Sequence, residues 1–159
     1  MYKGFETIVK AARELAAYPS FHFEWRIVGL DIYSTTVQIT LKWLKTGLDN
    51  LNIKLLGGSG EREISQLLQS ADIYCQASHI ENSPNSLCEA MLIGMPVIAS
   101  YAGGTPSMLD NEQEGLLFQN GDAHALAGAI LQMSHNFRFA AACGQKARSV
   151  PGSGTIRIQ

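Results

Sequence analysis

The chain has 159 residues, 46% hydrophobic and 16% charged, with 12 Lys+Arg against 14 Asp+Glu for a formal net charge of −2. That composition excludes a disordered chain, which joins low hydrophobicity to a large net charge, and the length is that of about one domain. The near-neutral balance leaves no electrostatic footprint for nucleic acid or an acidic membrane surface.

Phe5, Ile8, Val9, Ala12, Leu15 and Ala16 recur at helical spacing, and Pro19-Ser20 close that helix. Residues 21–29 end in Trp25-Arg26-Ile27-Val28-Gly29, a short strand running into a glycine turn. A second helix is predicted over 35–48 with Gly47 near its end, then a β-prone stretch over 52–56 closed by Gly57-Gly58. Residues 61–69 read as helix with Ile64, Leu67 and Leu68 facing inward, and 72–76 as a buried strand. Beyond a polar loop at 77–85, a helix over 86–93 stops at Gly94, a C-cap residue. Residues 96–100 are apolar on both faces, as in a buried parallel strand. Gly103-Gly104 make a turn, 105–110 a short helix and 116–119 the last strand. Asp122 is placed to N-cap a helix carrying Leu126, Ala129, Ile130 and Met133, and 137–147 form the final helix.

This alternation predicts an α/β fold: a Rossmann-like, doubly wound parallel sheet over residues 1–149, followed by a tail at 150–159. Ligands of such sheets bind beyond the carboxyl ends of the strands, so the loops after Val28, Leu56, Gln76 and Ser100 are the ones to watch. Cys75, Cys88 and Cys143 form no C-x-x-C pair, which argues against a cysteine zinc site or disulfide framework and fits a reducing, cytoplasmic setting. The longest mostly apolar run, 90–99, is broken by Gly94 and Pro96 and falls short of the roughly 20 residues a bilayer span needs. His22, His79, His124 and His135 are scattered, so no metal is expected. No G-x-S-x-G elbow or strand-borne G-x-G-x-x-G is present, which speaks against a serine hydrolase or a dinucleotide-binding dehydrogenase.

The loop Ser78-His79-Ile80-Glu81-Asn82-Ser83-Pro84-Asn85-Ser86-Leu87-Cys88-Glu89-Ala90 is the richest in chemistry. A helix N-terminus points backbone N–H groups at whatever lies ahead of it, which suits a phosphate or diphosphate. Glu81 and Glu89 flank that point; carboxylates repel phosphate but accept hydrogen bonds from sugar hydroxyls. Two glutamates alone are more often solvated, yet Glu89 stands among Leu87, Cys88, Ala90, Met91 and Leu92 rather than other charges. His79 reads as a polar loop residue.

Glu81, seven residues, Glu89-Ala90-Met91, then Gly94-Met95-Pro96-Val97-Ile98-Ala99-Ser100 and Gly103-Gly104 resemble the donor-binding half of retaining glycosyltransferases of family four. Lys3-Gly4-Phe5, Trp25 to Gly29, Ile53 to Gly57, Ala71-Asp72-Ile73 and Glu114 to Leu117 follow in the family's order, so the resemblance covers nearly the whole chain. It implies one half of a GT-B fold, with no cofactor beyond a nucleotide-diphosphate sugar as donor substrate. By the same resemblance Glu81 and Lys3 would be the catalytic-site pair, Glu81 facing the donor sugar and Lys3 neutralising the leaving diphosphate. The backbone of Asn82, Ser83, Pro84, Asn85, Ser86 and Leu87 would cradle the diphosphate, Glu89 would hold the ribose hydroxyls, and Gly57-Gly58 would lie near the base.

The resemblance also implies what this stretch omits: an N-terminal acceptor-binding domain, and a first strand that would lie upstream of Met1. Without that strand, an open sheet edge invites self-association between chains. The expectation is therefore a donor-binding half whose parent builds glycan or polysaccharide, cytoplasmic and reaching a membrane only through the other domain. A nucleotide-sugar epimerase half-domain and a non-catalytic nucleotide-binding or interaction module are the alternatives.

Overall fold

The structure, a computed structural model, describes residues 3–82 and 84–149; Ser83 of the site loop and the expected tail at 150–159 lie outside the described residues. Six α-helices and five strands follow in the order α1 (Phe5–Ala16), β1 (Trp25–Ile27), α2 (Thr35–Leu44), β2 (Ile53–Leu55), α3 (Glu61–Gln69), β3 (Tyr74–Gln76), α4 (Asn85–Leu92), β4 (Val97–Ser100), β5 (Leu116–Phe118), α5 (Ala123–His135) and α6 (Phe137–Ser149) among the described residues. Among those residues no helix is long and apolar enough to cross a membrane.

Every strand pair is parallel, and parallel neighbours need a crossover: α2 supplies it between β1 and β2 and α4 between β3 and β4, while β4 reaches β5 through a loop with one 3-10 turn at Thr105–Ser107, where the sequence predicts a short helix over 105–110. The pairs fall into two ladders rather than one sheet. In the first, Trp25 lies opposite Ile53 and Ile27 opposite Leu55. In the second the order is β3-β4-β5, with Tyr74 opposite Val97 and Ser100 opposite Phe118. No ladder joins β1 to β3 among the described residues. The Arg26 guanidinium of β1 reaches instead to the end of α3, donating to Ser70 Oγ at 3.0 Å and Ser70 O at 3.1 Å.

Side-chain alternation along the strands separates two cores. Ile98, Leu116 and Phe118 join α1 and α5 in one core, through Phe5, Val9, Leu15, Leu126 and Met133. Val97, Ala99 and Leu117 point the other way, toward Leu87, Met91 and Leu109. Both faces of β4 and β5 are thus covered, which makes the arrangement doubly wound and explains why 96–99 is apolar throughout.

Asp122 caps α5 as expected, accepting from Ala125 N at 2.9 Å, and Gly94 takes φ 78 just past α4. The helix expected over 35–48 stops earlier, at Leu44. Lys45 adopts a left-handed φ of 50 and the Thr46 N–H reaches back to Leu41 O at 3.2 Å, closing the helix before Gly47. The short strand expected at the end of 21–29 forms at Trp25–Ile27 and runs into Gly29 at φ 84; Phe21 and Phe23 ahead of it stack at 5.8 Å and pack on the core.

Candidate functional site

The site is built at the carboxyl end of β3, where three segments converge on the loop leaving Gln76. Ser100, at the end of β4, donates its Oγ hydrogen to Ser78 O at 2.5 Å and so pins the loop's first residues. The start of α1 passes directly against the same point. A Cβ on Gly4 would lie 1.8 Å from Ala77 O, and Gly4 has φ 67, so only glycine admits this approach. That contact brings the preceding Lys3 across the loop, where Nζ stands 2.8 Å from Glu81 Oε2; the lysine side chain is 72% exposed and the glutamate 16%. The turn after β4 backs the loop from the other side. A Cβ on Gly103 would fall 1.6 Å from Glu81 O, and the Gly104 N–H donates to that oxygen at 3.1 Å.

Beyond Glu81 the chain enters α4 through Pro84, which is buried and accepts from Leu87 N at 3.1 Å. Proline has no side-chain acceptor to offer the first turn, so the backbone N–H groups of Asn85 and Ser86 are left pointing ahead of the helix. Tyr74 braces this turn, its hydroxyl donating to Ser86 Oγ at 2.8 Å. Burial pushes the Tyr74 pKa up to about 12; the bond to Ser86 opposes this, while the charges of Glu81 and Glu89 add to it. Glu89 is only 4% exposed, so it is not the solvated helix residue that an isolated glutamate usually is. Burial likewise pushes the Cys75 thiol up to about 12 and raises Cys88, and a protonated thiol is a poor nucleophile.

Of the residues singled out in the sequence, Lys3, Glu81, Asn82, Pro84, Asn85, Ser86, Leu87 and Glu89 come together here. Leu87 is fully buried, so only its backbone can serve a ligand. Ser83 lies outside the described residues. Gly57 and Gly58 close the other ladder: Gly57 N–H donates to Leu30 O at 2.9 Å and Gly57 O accepts from Gly29 N at 2.6 Å. No cluster of His, Cys, Asp and Glu suited to a metal occurs among the described residues.

The sequence reading missed three participants. His79 is not a free loop side chain. Its Nε2 lies 2.8 Å from Glu6 Oε1 on α1, and its Nδ1 lies 2.6 Å from Asn120 Oδ1 beyond β5. Glu6 and Asn120 sit 73 and 41 residues away along the chain, so no local pattern announces them.

Comparison with known proteins accords with this geometry. The family described as "Glycosyl transferases group 1" matches residues 1–150. The chain is 31% identical over 138 residues to the amylovoran biosynthesis glycosyltransferase AmsK of Erwinia amylovora, covering 83% of this chain and 33% of that protein. It is 27% identical over 138 residues to WcaL of Salmonella typhimurium, named a putative colanic acid biosynthesis glycosyltransferase, again covering 83% and 33%. The chain thus spans about a third of the length of these relatives. Among solved structures, Anabaena HepE in complex with UDP-glucose superposes with a TM-score of 0.78 at 26% identity, covering 94% of this chain and 40% of that one. The match over 1–150, with the parallel α/β architecture that HepE shares, shows that this chain belongs to the group 1 glycosyl transferases, of GT-B type.

Proposed function

We propose that this chain is the nucleotide-sugar binding half of a retaining glycosyltransferase, one that moves a sugar from a nucleotide-diphosphate sugar to an acceptor hydroxyl in polysaccharide biosynthesis. The observation that carries the reading is the Lys3–Glu81 pair, 2.8 Å apart, set beside the α4 N-terminus and the buried Glu89. The UDP-glucose bound to HepE and the polysaccharide products in the names of AmsK and WcaL support it.

In this scheme the diphosphate lies ahead of α4, against the N–H groups of Asn85 and Ser86 and the backbone from Asn82 to Leu87. Lys3 exchanges its Glu81 partner for the diphosphate and neutralises the charge that grows there as the glycosidic bond breaks. Glu81, freed from Lys3, accepts hydrogen bonds from the donor sugar. Glu89, buried on the far side of the helix start, accepts from the ribose hydroxyls, and Gly57-Gly58 border the base. Departure and attack take place on one face of the sugar, with the leaving phosphate taking the acceptor proton. No protein nucleophile is required, so Glu81 orients the sugar rather than attacking it.

The acceptor is bound by a separate half, and its orientation supplies much of the barrier reduction, so this stretch alone binds donor without efficient turnover. We place the parent protein in the cytoplasm, meeting a membrane through that other half. The ladder edges of β1 and β3 support edge pairing between chains; a strictly monomeric species by light scattering at high concentration would oppose that.

Thermal melting with UDP, GDP, ADP and their sugar conjugates tests the reading. A ligand that binds only the folded state stabilises it by about 2.7 kcal/mol at a hundredfold excess over Kd. One nucleotide should raise the melting temperature of the chain and fail to do so for Glu89→Ala. A folded chain that none of them stabilises would overturn the proposal.

A further inference from the structure

We propose that His79 is the positioning residue of this site: it sets where Lys3 meets Glu81. The proposal rests on the donor-site reading above and extends it to a residue that touches neither sugar nor phosphate.

The hydrogen bonds of Asn120 decide which nitrogen of the ring carries a proton. Its Nδ2 donates to His79 O at 2.9 Å, which fixes the amide so that Oδ1 is the atom facing the ring. Oδ1 is an acceptor only, so His79 Nδ1, 2.6 Å away, is the donor. On the other side Nε2 meets Glu6 Oε1 at 2.8 Å, a contact that holds one proton between ring and carboxyl. The ring thus links the first turn of α1, the loop after β3 and the loop after β5. It is part-buried, 25% exposed against 14% for Glu6. Gly121 lies beside it, since a Cβ there would stand 3.5 Å from His79 Cε1.

Glu6 follows Lys3 by three residues, and His79 precedes Glu81 by two. The His79–Glu6 contact is therefore the inner rung of a pair whose outer rung is Lys3–Glu81. A lysine as exposed as Lys3 loses much side-chain freedom to hold one geometry, and solvent weakens its attraction to a carboxylate. The outer rung cannot fix its own position. The inner rung, less exposed and bonded from both nitrogens, holds the two segments in register and presents Lys3 to the diphosphate.

Calorimetric titration of the chain with UDP tests this. His79→Ala should weaken UDP binding about tenfold, and His79→Gln, whose amide reaches toward Glu6 as Nε2 does, should recover most of that loss. Should His79→Ala not fold, Asn120→Ala removes the other tie at an exposed position and should cost roughly threefold. The ring-nitrogen NMR shifts of His79 in the unliganded chain should show a proton on Nδ1, a signature that general loss of stability would not produce. Wild-type Kd values in both His79→Ala and Asn120→Ala, or a bare Nδ1, would overturn the inference while leaving the donor site standing. A wild-type chain that binds no nucleotide would bring down the donor-site reading, and this inference with it.

Discussion

Lys3 and Glu81 form a pair that is structurally weak and chemically well placed. An exposed ion pair contributes about 0–1 kcal/mol to stability. Lys3→Met should therefore shift the melting temperature little, while weakening UDP binding about tenfold through loss of one charge-assisted contact. A large drop in melting with unchanged affinity would reverse that assignment. Behind the pair, β3 carries two groups held protonated by burial. Cys75 and Tyr74 ionise at ordinary values of 9.0 and 10.0 when unfolded, and only at about 12 in the folded protein. The unfolded chain gives up those protons first, so their contribution is complete below pH 9.0 and is lost as pH rises toward about 12. Urea denaturation at stepped pH should show this alkaline decline, shallower in Cys75→Ala; an identical slope in that variant would contradict it. At this scale the burial of Glu89 was legible from the apolar run around it. His79 was not, because its meaning lies in Glu6 and Asn120, which only the fold brings to it.

The elements decide which glycines are needed. Gly103 has φ 51 and would drive a Cβ to within 1.6 Å of Glu81 O, whereas a Cβ at Gly128 in α5 meets nothing within 4 Å. Gly103→Ala should thus destabilise by about 1–3 kcal/mol or displace the site loop. Gly128→Ala should stabilise by roughly 0.5–1 kcal/mol, since alanine loses less freedom in a helix. Chemical denaturation of the two variants checks both signs, and equal effects would contradict the placement of the Gly103 turn against Glu81. The extent of α3 was readable to the residue, but of Ile64, Leu67 and Leu68, expected to face inward, none is fully buried and Leu68 packs against the second core. The end of α2 was not: Gly47 was the visible stop, but Lys45 adopted the left-handed cap that glycine usually fills.

Across the whole molecule, the two ladders have unequal support. β4 is paired on both sides and buried along its length, while β1 and β2, among the described residues, pair with each other alone and are partly exposed. Amide exchange should be slowest at Val97–Ser100 and faster by local opening at Trp25–Ile27 and Ile53–Leu55; equal protection would mean that the two ladders open together. The strand–helix alternation made the parallel, doubly wound architecture legible. The register within each ladder was not, because pairing between strands distant in sequence leaves no local trace. We propose a nucleotide-sugar site in the loop from Glu81 to Glu89. Amide NMR shifts of the chain titrated with UDP test it most directly. Saturable changes centred on Asn82, Asn85, Ser86, Leu87 and Glu89, reaching Gly103 and Gly104, are expected. Changes confined to other surfaces, or none at saturating UDP, would contradict it.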